Sequence, residues 1–170
     1  MASTYEKIAT NTLGSAAASI TFSSISGAYT DLVLVANTKV STAADVQECY
    51  LQFNSDTATN YSITRFYNSG VNAFSGRETS VTKIDNIRLP GSNSASTVFG
   101  SMIANIQNYS NTTTNKTTIL RMNAETVSGQ QGALVGLWRN TSAITTILFA
   151  PTSGNFVSGS TFTIYGILKA

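Results

Sequence analysis

The sequence predicts an all-β protein, an antiparallel two-sheet β-sandwich of jelly-roll type with about ten strands and little or no helix. β-branched and aromatic residues recur in short runs that are separated by Gly, Asn, Ser and Asp. No long stretch places apolar residues at helical spacing, so nothing resembles the helical crossovers of a parallel sheet. The length of 170 residues suits one domain, which we expect to span residues 1–170.

The first half of the chain contains candidate strands at residues 5–10, 18–22, 30–39, 47–54, 61–67, 73–76 and 82–89. The run Leu32-Val33-Leu34-Val35 is apolar at every position, which is typical of a central strand covered on both faces. Alternation in the fourth strand places Cys49 on its apolar face, which predicts a buried thiol. Pro90-Gly91 is a strong turn signal and ends the last of these strands.

The second half contains candidate strands at residues 96–109, 116–125, 133–139, 144–150 and 161–169. In the first of them, Met102, Ala104 and Ile106 lie on one side. In the last, Phe162 and Ile164 lie opposite the threonines and tyrosine between them. This alternation is typical of strands with one face against a core.

The composition is poor in charge and rich in small polar residues. Charged residues make up 11% of the chain, against about 25% in typical domains. The chain has 22 Ser, 25 Thr and 15 Asn, and such neutral side chains cost less to desolvate than ions. This surface suits a protein that packs against neighbours, although threonine also favours strands in its own right.

The net charge is +2, and the ten basic residues form no run. A nucleic-acid-binding protein would show a basic patch or stripe, so we expect no nucleic-acid partner. No stretch approaches the length of an apolar membrane span, so we expect no membrane partner.

The chain contains no histidine and one cysteine, which removes Ser-His-Asp and Cys-His arrangements and an ordinary zinc site. No Gly-rich phosphate-binding motif is present. Paired carboxylates are the remaining catalytic option, either Asp45 with Glu48 or Glu78 with Asp85, since glycosidases need only two. No pair is distinguished by its surroundings, so the sequence predicts a protein that is not an enzyme, with no catalytic residue, cofactor or metal.

One loop offers oxygen atoms that calcium would accept. Asn54, Asp56 and Asn60 are close in sequence, but a single carboxylate is little charge for a calcium site. Asn and Asp are also ordinary turn residues, and a hairpin connection is the plainer interpretation of this segment.

Four tyrosines are candidate partner contacts, because exposed tyrosines anchor protein interfaces and stack on sugars. They are Tyr5, Tyr67, Tyr109 and Tyr165, and the last three fall at strand ends or on the polar side of their strands. The alternative interpretation is a set of cross-strand aromatic pairs on a sheet surface.

Several segments resemble a group of small virion proteins from tailed bacteriophages, including those of cyanobacteria. The start of the group is similar to Tyr5-Glu6-Lys7-Ile8-Ala9, Ile20-Thr21-Phe22 and Tyr29-Thr30-Asp31-Leu32-Val33-Leu34. Its second signature is similar to Leu51-Gln52-Phe53-Asn54-Ser55-Asp56 followed by Asn60-Tyr61-Ser62, and its closing strand to Ser160-Thr161-Phe162-Thr163-Ile164-Tyr165-Gly166-Ile167. The resemblance spans nearly the whole chain.

This resemblance implies a structural protein located in the virion and assembled in the host cytoplasm. The expected type is a capsid decoration (cement) protein that trimerises and stabilises the head by binding the major capsid protein or other virion proteins. The alternative is a tail fibre or receptor-binding module that recognises host surface glycan. The resemblance brings no catalytic residues.

Overall fold

The computed structural model describes residues 4–127 and 129–168, which form strands and no helix. The twelve strands are β1 (Tyr5–Thr12), β2 (Ile20–Phe22), β3 (Asp31–Thr38), β4 (Val46–Phe53), β5 (Tyr61–Ser69), β6 (Asn72–Val81), β7 (Ile84–Pro90), β8 (Gly100–Gln107), β9 (Lys116–Ala124), β10 (Gln130–Trp138), β11 (Ile147–Pro151) and β12 (Thr161–Ile167). The predicted antiparallel two-sheet sandwich is therefore confirmed, with twelve strands instead of about ten. None of the described residues forms a helix that could cross a membrane.

The two sheets differ in width. The larger has eight strands in the order β1-β12-β3-β8-β9-β10-β5-β6, and the smaller has four in the order β2-β11-β4-β7. Every pair of neighbouring strands is antiparallel. Strands that are adjacent in sequence often lie in different sheets, so most contacts join distant parts of the chain.

The core lies between the sheets and contains two groups of aromatic rings. Phe149, Phe156 and Phe162 pack with ring centroids 4.9–6.0 Å apart. Trp138 stacks on Tyr61 and meets Phe53 edge to face, and all three are fully buried. Cys49 is also fully buried, as its alternation predicts, and burial raises the pKa of its thiol.

Strand β6 departs most from the sequence prediction. It runs for ten residues, from Asn72 to Val81, where the sequence predicts a piece of four residues at 73–76. As an edge strand it is exposed on both faces over much of its length, so its side chains lack the apolar alternation that reveals a half-buried strand. Conversely, β8 is shorter than predicted and ends before Asn108, which has a positive φ of 53°.

Gly166 allows β12 to lie against the Tyr29 ring, and replacing it tests this close approach. A Cβ at position 166 would lie 2.3 Å from the ring, so Gly166→Ala is expected to destabilise the fold by about 1–3 kcal/mol through overpacking. A Cβ at Gly14 would meet nothing within 4 Å, so Gly14→Ala is the matched control. Urea unfolding of both variants makes the measurement, and equal midpoints would contradict the close approach.

Candidate functional site

The candidate site is the outer face of the eight-stranded sheet, the face that points away from the four-stranded sheet. On β9 every second residue, from Thr117 to Asn123, is exposed, while the residues between them are buried. Neighbouring strands continue this alternation through Ile103 on β8 and Val135 on β10. All twelve strands belong to the two sheets, so the described chain supplies no third layer to cover this face.

This arrangement corrects one expectation about β3. Its apolar run predicts cover on both faces, and Leu32 and Leu34 are indeed buried between the sheets. Val33 and Val35 point to the outer face, where Val33 is buried among neighbouring side chains and Val35 is half-buried. Within the described residues, the four-stranded sheet covers one face of β3, and no further layer covers the other.

An apolar cluster lies near the middle of the outer face, and it consists of Phe66, Ile103, Ile119, Ala133 and Val135. Phe66 is 55% exposed, Ile119 45% and Val135 47%. Cross-strand register joins its members, because Ile119 lies opposite Val135 and Ala133 lies opposite Phe66. Exposed large apolar side chains that adjoin one another mark interaction surfaces more often than scattered ones do.

Shallow hollows follow the apolar cluster. One of about 320 Å³ is lined by Phe66, Ile119 and Val135. Two more, of about 260 and 270 Å³, are both lined by Arg121 and Met122. The surface is therefore contoured enough to receive side chains of a partner, with polar groups such as Asn123 and Gln131 at the margins.

Of the four predicted contact tyrosines, Tyr5 and Tyr165 lie on this face. Tyr5 on β1 is 53% exposed, and its ring meets Tyr165 on β12 edge to face with centroids 6.4 Å apart. Tyr67 lies on β5 but stacks on Phe74 at 5.1 Å, and the Arg88 guanidinium lies 4.0 Å above its ring centroid. These contacts match the alternative interpretation of cross-strand aromatic pairs, with Arg88 of the other sheet covering Tyr67.

Tyr109 does not lie on a surface, although its place on the polar side or at the end of a predicted strand made it a candidate for partner contact. Its side chain is fully buried, and its hydroxyl donates a hydrogen bond to the Ser26 carbonyl and accepts one from the Tyr29 amide. Residues 108–111 form a turn beyond the end of β8, and strand alternation does not continue through that turn. The burial of Tyr109 removes it from any contact with a partner.

In the loop considered for calcium, residues 54–60, the carboxylate oxygens of Asp56 are occupied by hydrogen-bond donors of the protein. Asp56 accepts bonds from the Trp138 indole at 2.7 Å, the Asn60 amide at 2.9 Å and the Ala58 backbone at 2.9 Å. Burial alone would raise the pKa of Asp56, but these donors outweigh it and hold the pKa below its ordinary value. No group of three or more His, Cys, Asp or Glu side chains that could hold a metal ion occurs within the described residues. The loop joins β4 of the four-stranded sheet to β5 of the eight-stranded sheet, so the predicted hairpin connection is wrong and the segment is a turn between the sheets.

Tyr61, beside this loop, makes the free energy of unfolding vary with pH in the alkaline range. Burial raises the pKa of its phenol from 10.0 to about 12. Between these values the unfolded state loses a proton that the folded state keeps, so the free energy of unfolding falls as the pH rises from about 10 to about 12.

Tyr61→Phe is expected to make this decline shallower, and unfolding titrations at pH 9, 10, 11 and 12 measure it. Burial also raises the pKa of Tyr109, so part of the decline remains. The variant also loses the bond that the Phe53 amide donates to Tyr61, which lowers its stability at neutral pH by about 1 kcal/mol. A decline as steep as that of the parent would contradict this account.

Three of the four acids considered for catalysis, all except Asp45, have other side-chain partners. Glu48 pairs with Arg88 at 2.8 Å, and Glu78 forms an ion pair with Arg65. The Asp85 carboxylate accepts a hydrogen bond from the Asn86 amide at 2.8 Å. These contacts tie strands and turns together.

Comparison with known proteins gives neither a family nor a curated relative, because no known family and no curated protein matches the chain. Solved structures that match include alginate lyases. A mutant of alginate lyase Aly36B with alginate tetrasaccharide has a TM-score of 0.34 and 8% identity, over 95% of this chain and 81% of that one. A second Aly36B mutant with alginate trisaccharide has a TM-score of 0.34 and 6% identity, over 94% and 80%. The PL-14 alginate lyase from Aplysia kurodai has a TM-score of 0.26 and 11% identity, over 86% and 72%.

The prediction that the chain is not an enzyme is contradicted by this comparison, because the matching structures include those of alginate lyases. The likeness concerns overall fold at TM-scores of 0.34 or less. It transfers no substrate, reaction or residue role to this chain.

Proposed function

We propose that this chain is a structural protein of the tailed-bacteriophage virion, and that it binds a neighbouring virion protein through the outer face of its eight-stranded sheet. The observation that carries the proposal is the apolar cluster on a sheet face that residues 4–127 and 129–168 leave without a covering layer. Burying such side chains against a partner contributes about 25 cal/mol per Å² of apolar area. The neutral polar residues around the cluster add little desolvation cost.

Within the virion, the function we favour is capsid decoration, as a homotrimer bound to the major capsid protein. The resemblance of the sequence to small phage virion proteins supports this choice. A decoration protein stabilises a shell by binding the assembled subunits and not the separated ones. Adding the purified protein to phage heads that lack it should therefore give co-sedimentation and a higher melting temperature of the shell. Recovery with purified tails and no binding to heads would contradict the proposal.

A tail-fibre or receptor-binding module that recognises glycan is the second candidate. The edge-to-face pair of Tyr5 and Tyr165 favours it, because exposed aromatic rings are surfaces on which sugars stack. Adsorption of the purified protein to host cells, competed by their surface polysaccharide, would support this function instead.

A further inference from the structure

Arg121 is an unpaired cation in the middle of the outer face. Its side chain is exposed, and among residues 4–127 and 129–168 its guanidinium has no ion-pair or hydrogen-bond partner. Arg65 and Arg88, in contrast, are paired with glutamates of neighbouring strands. The five N–H donors of Arg121 are therefore available, in the planar arrangement that matches a carboxylate.

The register of the sheet places Arg121 within the apolar cluster. It lies opposite Ala133 on one side and Ile103 on the other, and Ile119 precedes it by two residues on the same face. The hollows of about 260 and 270 Å³ both adjoin its side chain. Arginine and aromatic residues are enriched at the energetically dominant sites of protein interfaces, and Arg121 shares one of these hollows with Phe66.

The charges of the outer face favour an acidic occupant. It carries Lys7, Arg77 and Arg121, against Asp31 and Glu125. The Asp31 carboxylate accepts a bond of 2.6 Å from the Asn108 backbone amide, and Glu125 lies at the edge of the face beside Asn123, so positive charge exceeds negative charge by one. Two copies that met through this face would bring positive charges together, which is unfavourable. A partner with complementary negative charge has no such cost.

The aliphatic side chains favour a protein over a sugar as the occupant. Ile119 and Val135 are adjacent and almost half exposed, and they offer no hydrogen bond to sugar hydroxyls. A polar ligand on them would lose hydrogen bonds to water without replacing them. Apolar side chains of a protein partner would cover them without this loss.

We propose that Arg121 binds a carboxylate of an acidic segment in the protein partner, while apolar residues of that segment cover Phe66, Ile119 and Val135. This inference rests on the proposed function for the identity of the partner as a virion protein. Its test compares Arg121→Glu and Arg121→Lys with Lys83→Glu in binding to phage heads that lack the protein. Lys83 lies over the Tyr50 ring, whose strand belongs to the other sheet, so its replacement makes the same charge change elsewhere.

Arg121→Glu is expected to weaken binding about 100-fold or more, because it removes a charge pair and adds repulsion. Arg121→Lys keeps the charge but not the two-pronged geometry, so an intermediate loss is expected. Lys83→Glu should bind like the parent. If the parent and Arg121→Glu bound heads equally and the two purified proteins melted at the same temperature, the role of Arg121 would be overturned while the proposed function stayed intact.

If the parent protein bound no heads, the proposed function would fail, and a second experiment tests Arg121 alone. Isotope-labelled protein is titrated with the peptide acetyl-Leu-Glu-amide and with acetyl-Leu-Gln-amide as the uncharged control. The glutamate peptide should shift the Nε–H resonance of Arg121 and the methyl resonances of Ile119 and Val135 more than the glutamine peptide does. Equal shifts with both peptides, or none, would overturn the inference.

Discussion

Trp138→Ala is expected to lower the free energy of unfolding by about 3–5 kcal/mol, the largest effect of a single substitution that we predict. Trp138 is fully buried, and its ring centroid lies 6.3 Å from that of Tyr61 and 5.8 Å from that of Phe53. Removing the indole leaves a cavity between the sheets. It also removes the hydrogen bond of 2.7 Å that the indole N–H donates to the Asp56 carboxylate. Equilibrium unfolding in urea makes the measurement.

Trp138→Phe separates the contribution of ring packing from that of the hydrogen bond to Asp56, because it keeps an aromatic ring and removes the indole N–H. It is expected to cost about 1–3 kcal/mol, since Asp56 loses one donor but keeps those of Asn60 and Ala58. Val127→Ala is the matched control, since this side chain is 94% exposed. A loss below about 1 kcal/mol for Trp138→Ala would contradict the packing described for this part of the core.

The double variant Phe66→Thr/Ile119→Thr is expected to weaken binding of the partner by about 100-fold or more, the largest functional effect that we predict. Both side chains belong to the apolar cluster and are about half exposed in the isolated chain. Threonine keeps a strand-favouring β-branched shape and supplies a hydroxyl that favours water. Stability should change little, because neither side chain is in the core between the sheets.

The matched control is Val71→Thr/Val127→Thr, which also removes two exposed apolar groups. These valines are 100% and 94% exposed, and each follows one of the two strands β5 and β9 at a hairpin turn. Binding of both double variants to heads lacking the protein is measured by co-sedimentation, with circular dichroism to check folding. If the control lost as much affinity as Phe66→Thr/Ile119→Thr, the binding surface would be elsewhere.

Most strands could be predicted because their burial alternates. The alternation of β9 and β12 in the sequence appears directly in the structure, where Leu120 and Ile164 are buried and Arg121 and Tyr165 are not. Strand β6 could not be predicted to its full length, because an edge strand makes its hydrogen bonds with the backbone while its side chains stay in water. Its polar sequence therefore resembles a loop.

The candidate site was largely hidden in the sequence. Phe66, Ile119 and Val135 are far apart in the chain, and only the order β8-β9-β10-β5 brings their strands together. The tyrosines were predicted from their residue type and, for three of them, from their position in the predicted strands. These signals do not distinguish an exposed ring such as Tyr5 from a buried one such as Tyr109. The apolar residues at polar positions of β9 and β10 were the available signal for the outer face.

Electron cryomicroscopy of phage particles with and without this protein tests the central claim most directly. We expect density for the protein on the head, with the outer face of the eight-stranded sheet against a shell subunit and Phe66, Ile119 and Val135 within that contact. Density located on the tail, or on the head with this face open to solvent, would contradict the account.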